Sequence, residues 1–335
     1  MVELGGPLLD SLLLGSLYTM MALGLTITYK VTRIPNFSHA ELVTVGSYAG
    51  VVAVNLWGRG LGEALLLAFV SSAAIALAAD ELVFKPLFRR GATPLHLLVA
   101  SIGVGLVVRY VLSIFANLYS ILSAKSNLLA QTLVAFGPGA NLTTLHVWVP
   151  AATLSSVVAL HLLFTRTRIG KGMRAMASNL DLARVSGIRT VRVRRMTWIL
   201  AGGLAGIAGT FWSVYAPTDP EIGWRALLWT FAASILGGFV SVYGTIAGGY
   251  VVGASESFGI TILNAEFGIS ASYKPMIALV LIVVVFLIRP TGFAGLTVRG
   301  VLDGMRTFPT RAAARWRALG ARLSGFLSGM RNPRE

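Results

Sequence analysis

The residues best equipped for chemistry lie in one short run, Asn36-Phe37-Ser38-His39-Ala40-Glu41. An imidazole and a carboxylate this close together suit general acid–base catalysis or metal ligation. Neither chemistry is completed, because no third partner accompanies the pair. Pro35 stops any helix arriving from upstream. Ser38 or Asn36 then caps the next helix, with Glu41 in capping-box spacing after Ser38. Elsewhere the ionisable residues stand apart inside apolar runs. Arg109 is two turns from a helix end and within snorkelling reach of it, and Glu256 is flanked by Ser255 and Ser257. Asp80 and Glu81 precede Lys85, which stands in i,i+4 spacing from Glu81. His161 near a helix end reads as structural. Gly170-Lys171-Gly172 fails the phosphate-loop pattern at both ends, and no His-Glu-x-x-His, Gly-x-Ser-x-Gly or Cys/His cluster occurs. No cofactor or metal is expected.

The elements that hold these residues are set by composition. The chain has 335 residues, 55% hydrophobic and 12% charged, against about 25% charged in an average soluble domain. A soluble chain this apolar lacks the polar groups to cover its surface. With no cysteine, disulfides and thiolate metal sites are excluded. What remains is a polytopic membrane protein. A spanning helix needs about 20 mainly apolar residues. Nine segments meet that requirement: Leu8–Tyr29, Ala40–Trp57, Glu63–Val83, Leu95–Ala116, Val147–Phe164, Val191–Tyr215, Ala226–Val242, Thr245–Leu263 and Ser272–Ile288. The second is short, so Asn36–Glu41 reads either as an interfacial boundary or as a partly re-entrant segment at the cytoplasmic end of a pathway. The seventh and eighth meet in a tight hairpin or a broken helix at Ser241-Val242-Tyr243-Gly244.

The net charge of +15 suggests nucleic acid until its placement is read. With the N-terminus outside, the inner segments hold Lys30 and Arg33, then Lys85, Arg89 and Arg90, then nine basic residues in 166–195 and nine in 289–334. Together these make 23 of the 28. The positive-inside rule therefore predicts N-out and C-in with an odd number of spans, and no nucleic-acid partner. The start Met1-Val2-Glu3 has no basic residue and fits an external N-terminus rather than a signal peptide. Residues 295–335 form a basic cytoplasmic tail, with Arg311, Arg315, Arg317 and Arg322 beside Trp316, Leu319, Leu323 and Phe326 in an amphipathic pattern suited to anionic lipid.

Glycines recur at one-turn spacing as Gly202-xxx-Gly206, Gly244-xxx-Gly248 and Gly249-xxx-Gly253. Such faces let helix backbones approach closely in lipid, within one chain or between subunits. In the loop 166–190, Ala175, Asn179 and Ala183 share a helix face, and Gly187 ends that helix in the left-handed conformation. A short basic helix with a small-residue face suits docking in a cleft of another protein and equally suits an anionic lipid surface.

The ordered motifs carry a family resemblance from about Leu12 to Gly295. Gly15-Ser16-Leu17-Tyr18, Ala22-Leu23-Gly24-Leu25 and Asn36-Phe37-Ser38-His39-Ala40-Glu41 come first. Gly172-Met173-Arg174-Ala175 follows, with Asn179, Ala183 and Gly187-Ile188. Then come Leu236-Gly237-Gly238, Ser241, Gly244, Gly248-Gly249, Gly253 and Glu256. Tyr273-Lys274 and Arg289-Pro290-Thr291-Gly292 close the series. The chain resembles the branched-chain amino acid permeases of ATP-binding-cassette importers, in particular the shorter of their two permease subunits. The resemblance implies an all-α polytopic fold of about nine transmembrane helices with a permease domain over 1–294. It also implies that Arg174, Ala175, Asn179, Ala183, Gly187 and Ile188 couple to an ATPase. The implied partners are a second permease, two ATPase subunits, an external solute-binding protein and membrane lipids, in a prokaryotic cell membrane. ATP hydrolysis then belongs to another chain, and this one is not an enzyme. Asn36, Phe37, His39, Glu41, Arg109 and Glu256 are the pathway candidates. Gly202, Gly206, Gly237, Gly238, Gly244, Gly248, Gly249 and Gly253 are the packing candidates. Urea, short-chain amides or sugars are alternative solutes for the same architecture. An ion-coupled secondary transporter is the alternative of another class, and it would rest on Arg109 and Glu256.

Overall fold

The computed structural model describes residues 5–126, 128, 131–135, 141–288 and 292. The tail 295–335, the start Met1-Val2-Glu3 and the Arg289-Pro290-Thr291 motif lie outside the described residues. Each of the nine apolar segments is helical. They are α1 (Gly5–Thr32), α2 (His39–Val51), α3 (Leu61–Ala79), α5 (Pro94–Leu118), α6 (Thr144–Arg166), α9 (Thr190–Tyr215), α10 (Ile222–Leu236), α11 (Val242–Phe267) and α12 (Lys274–Ile288). Short π-helical turns extend α2 through Val52–Leu56 and α3 through Asp80–Phe84, the latter into α4 (Lys85–Arg89). Among the described residues, six helices are long and apolar enough to cross a membrane, with α10 and α12 as shorter apolar ones. The protein is an all-helical polytopic membrane protein.

Burial separates an inner set of helices from a rim. The most apolar windows of α1 and α9 are 78% and 83% buried, whereas those of α5 and α6 are 17% and 22%. The rim exposes Val99, Val107, Ile114 and Leu154. In lipid those side chains need no covering, so helices that are apolar all round are stable there. Helix α9 lies between α2 and α3, while α1 packs along α11.

Small residues make these approaches possible. A methyl built on Gly202 or Gly206 of α9 would fall within 3 Å of the α3 backbone at Ser72 or Ala68. One on Gly46 of α2 would meet Gly206 from the opposite side. Gly249 and Gly253 meet Thr19 and Gly15 of α1, and Gly248 meets Ala233 of α10. The three glycine stripes thus face helices of this same chain.

Three local expectations change. The hairpin is shifted: α10 stops at Leu236, α11 starts at Val242, and Gly238 (φ 81°) and Phe239 (φ 58°) turn the chain in the left-handed region. Ser241 caps α11 by accepting from the Gly244 amide at 3.1 Å. Ser38 makes no capping-box bond, because its hydroxyl donates instead to Asn36 Oδ1 at 2.6 Å. Between α5 and α6 the chain also forms a short antiparallel ladder of β1 (Thr132–Ala135) and β2 (Asn141–Thr143), with Thr132 opposite Thr143. The helix foreseen across 175–183 is two helices, α7 (Arg168–Ser178) and α8 (Leu180–Val185). Asn179 breaks them with extended backbone and caps α8, its Oδ1 accepting from the Leu182 amide at 2.9 Å. Competition between a short polar side chain and the helix backbone explains the break.

Candidate functional site

Residues Arg33–Phe37 leave the helical path between α1 and α2. Arg33 has φ 56°, and Pro35 withholds an amide donor. The segment turns into the bundle rather than along its surface. The Phe37 amide donates to Ser101 Oγ at 3.0 Å, on α5. Ser101 is seven residues beyond the start of α5, about 10 Å along the helix axis. His39 Nε2 bonds the Met21 carbonyl at 2.9 Å, deep on α1, where Gly24 leaves room for the imidazole. Asn36 and His39 are buried, and Asn36 Nδ2 and His39 Nδ1 find no hydrogen-bond partner among the described residues. Helix α2 therefore begins inside the bundle with irregular backbone before it. Such backbone is tolerated at membrane depth only when buried in protein or lining a cavity. The Phe37 ring packs on Phe231 of α10 with centroids 4.8 Å apart.

Glu41 and Arg109 come together. The guanidinium of Arg109 donates to Glu41 Oε1 through Nε at 3.1 Å and through Nη2. The side chains are 3% and 14% exposed for Glu41 and Arg109. Arg109 does not snorkel outward; an opposite charge within reach makes the interior its better-satisfied position. Its guanidinium also lies 5.2 Å from the Trp224 ring centroid on α10. Thr44 donates to Glu41 Oε2 at 3.1 Å and accepts from the Gly223 amide at 2.9 Å. The pair therefore joins α2, α5 and α10.

Glu256 is 2% exposed within α11 and accepts a hydrogen bond from the Tyr18 hydroxyl at 2.7 Å. Tyr18 stacks on Trp229 with centroids 5.4 Å apart, and Trp212 lies 5.6 Å from Trp229. Trp229 Nε1 is buried without a hydrogen-bond partner among the described residues. The carboxylate thus meets, through the Tyr18 hydroxyl, an aromatic cluster drawn from α1, α9 and α10. Glu256 lies apart from the Glu41–Arg109 pair, and no ion pair among the described residues includes it.

The loop 166–190 is anchored on one side and open on the other. Met173, Met176 and Ala183 are buried with Val31 of α1 and Val193 of α9. A Cβ on Gly170 would strike the Leu163 carbonyl, so the turn from α6 into α7 needs glycine there. Arg174 and Asn179 are exposed, and Ala175 and Ile188 are half-buried. Gly187 has φ 79°, and the Ile188 amide donates to the Ala183 carbonyl at 3.1 Å, closing α8 as the sequence foresaw. Leu182 and Val185 point away from the bundle, 61% and 82% exposed.

Sequence reading missed a second buried ion pair. Asp80 takes Arg194 in a bidentate grip, with Nε at 2.9 Å from both carboxylate oxygens and Nη2 at 2.6 Å from Oδ1. Glu81 pairs with Lys85, as its spacing suggested, and also with Arg195 at 2.5 Å. Matching the Asp80-Glu81 and Arg194-Arg195 doublets as opposite charges at the same ends of two spans would have found it.

A helical bundle with glycine-paired cores, irregular backbone at depth and an anchored basic loop defines a membrane permease. Residues 8–286 match the family described as "Branched-chain amino acid transport system / permease component", and the chain belongs to that family. It is 30% identical to a probable branched-chain amino acid transport permease protein LivH of Methanocaldococcus jannaschii, over 85% of this chain and 90% of that one. It is 29% identical to the high-affinity branched-chain amino acid transport system permease protein BraD of Pseudomonas aeruginosa, over 86% and 94%. Among solved structures, PsaBC from Streptococcus pneumoniae in complex with Fab gives a TM-score of 0.47 at 12% identity, over 85% of this chain and 92% of that one. The protein is a multi-pass permease subunit of an ATP-binding-cassette branched-chain amino acid transporter in the prokaryotic cell membrane, and not itself an enzyme.

Proposed function

We propose that the chain moves branched-chain amino acids inward by alternating access, with nine spans, N-out and C-in. Residues 1–294 form the permease domain, and 295–335 a basic tail on the cytoplasmic side. In this reading it pairs with a second permease, two ATPase subunits and an external solute-binding protein. The observation that carries the coupling role is the loop 166–190. Its buried face is fixed to α1 and α9, so a push on the open face reaches two of the inner helices. Arg174, Ala175, Asn179, Ala183, Gly187 and Ile188 shape that loop, and Leu182 and Val185 supply its exposed apolar contact. Asn36, Phe37, His39 and Glu256 border the pathway, supported by the unpartnered polar atoms and the irregular backbone at depth. Glu41 and Arg109 brace its walls. The small residues Gly202, Gly206, Gly237, Gly238, Gly244, Gly248, Gly249 and Gly253 hold the helices in register.

The test is co-purification with the ATPase subunits, together with leucine uptake. Leu182→Asp and Val185→Asp should each lose the ATPase and abolish uptake, with the permease still present in the membrane. Retention of both ATPase and uptake by both variants would reject this coupling surface. Uptake of urea or ribose, but not leucine, by the intact system would reject the solute.

A further inference from the structure

A cavity of about 550 Å³ opens at the basic end of the bundle, between α6, α7 and the α10–α11 turn. Two cations, Lys30 of α1 and Arg174 of α7, line it. Among the described residues, no ion pair engages either one. Of the other basic residues at this end, Lys85, Arg194 and Arg195 hold carboxylates, and Arg33 donates to the Ala177 carbonyl at 3.0 Å. Polar groups face the same space, including Ser241 and the hydrogen-bonded pair His161 and Tyr243. Val157 and Phe164 of α6 supply an apolar wall, and Lys30 Nζ lies 5.5 Å from the Phe164 ring centroid. The wall continues onto a rim face where Leu154, Val158 and Leu162 are 66%, 48% and 49% exposed. Two cations with no carboxylate partner among the described residues, beside hydroxyl donors, suit an anion, and an apolar wall running into the bilayer suits acyl chains.

We propose that this cavity binds the phosphate headgroup of an anionic phospholipid. Lys30 and Arg174 hold the phosphate, and the α6 face holds the chains. The lipid would tie α7 to α1, α6 and the α10–α11 turn. The proposal does not depend on the coupling reading, because Lys30 is no part of the coupling surface and lipid retention is measured without an ATPase.

The experiment uses the full chain, delipidated in detergent and titrated with dioleoylphosphatidylglycerol or dioleoylphosphatidylcholine under native mass spectrometry. One phosphatidylglycerol should be retained in preference to phosphatidylcholine. Lys30→Gln and Arg174→Gln should each weaken that retention about fivefold, the effect of one basic side chain at an anionic surface. Lys30→Arg should restore it, and Arg59→Gln, at the far end, should leave it unchanged. Thermal unfolding in plain detergent confirms that each variant is folded, and exposed Arg174 provides a second reading where Lys30→Gln fails that check. Equal retention of the two lipids, or full retention by folded variants, would overturn the proposal. Displacement of phosphatidylglycerol by millimolar inorganic phosphate would assign the site to the free anion and overturn the lipid as its occupant.

Discussion

The Glu41–Arg109 pair permits a quantitative test of how this bundle is held together. Arg109→Leu removes both guanidinium bonds to Glu41 and the contact with Trp224. The remaining side-chain bond to Glu41 comes from Thr44. Hydrogen bonds to charged groups contribute about 1.5–3 kcal/mol each. Against them stands the burden of an arginine at depth, about 2.5–3.5 kcal/mol on insertion scales. The balance of these two terms is about 1.5 kcal/mol, and the buried Glu41 carboxylate left without its cation raises the loss to roughly 3 kcal/mol, the lower end of the 3–5 kcal/mol typical when one partner of a buried pair is removed. Glu41→Gln should lose a comparable amount, because it strands a cation that is only 14% exposed. In the double variant Glu41→Gln/Arg109→Leu no charge is stranded, so its loss should stay within about 1 kcal/mol of either single variant. The cycle would then show about 2 kcal/mol or more of non-additivity. Reversible unfolding in mixed micelles measures all four species. Single losses below about 1 kcal/mol that add in the double variant would refute the argument, because the charges would then be solvated independently.

Gly253→Val should destabilise the α1–α11 contact by at least about 1–3 kcal/mol, since its Cβ would collide with the Gly15 backbone; the same unfolding assay measures it. Asn179→Ala should cost about 1 kcal/mol by removing the cap of α8, detected as faster proteolysis within 179–187 with the spans intact. Glu256→Gln keeps an oxygen to accept from Tyr18, so unfolding should shift by less than about 1.5 kcal/mol while leucine uptake falls at least tenfold. Unchanged uptake would show that the charge of Glu256 has no part in transport.

The nine helices were legible because a membrane imposes one dominant rule, a run of apolar residues of sufficient length. The glycine stripes were legible as close contacts, but not which helix each would meet, since small residues fit any flat face equally well. Asn179 was misread for a physical reason. A four-residue period is compatible with one helix through Asn179 or with a cap at Asn179, and only the burial of Met173, Met176 and Ala183 against α1 and α9 decides between them. The depth of Asn36–Glu41 was left open by the sequence. Pro35 announces a break, yet whether the chain then runs along the interface or turns inward depends on Ser101 and Met21, far off in sequence.

Charges at depth carried more information than their isolated positions suggested. A buried carboxylate or guanidinium is expensive alone, so opposite charges on different spans are expected to find each other. Glu41 meets Arg109, and Asp80 meets Arg194. That pairing accounts for four of the charges without assigning them to transport. Glu256 is the exception, buried with Tyr18 as its hydrogen-bond donor, with no salt bridge among the described residues and Lys274 acting on it only through its electrostatic field. That asymmetry is why Glu256→Gln, rather than a change at Glu41 or Asp80, is the variant that tests whether a buried carboxylate takes part in transport.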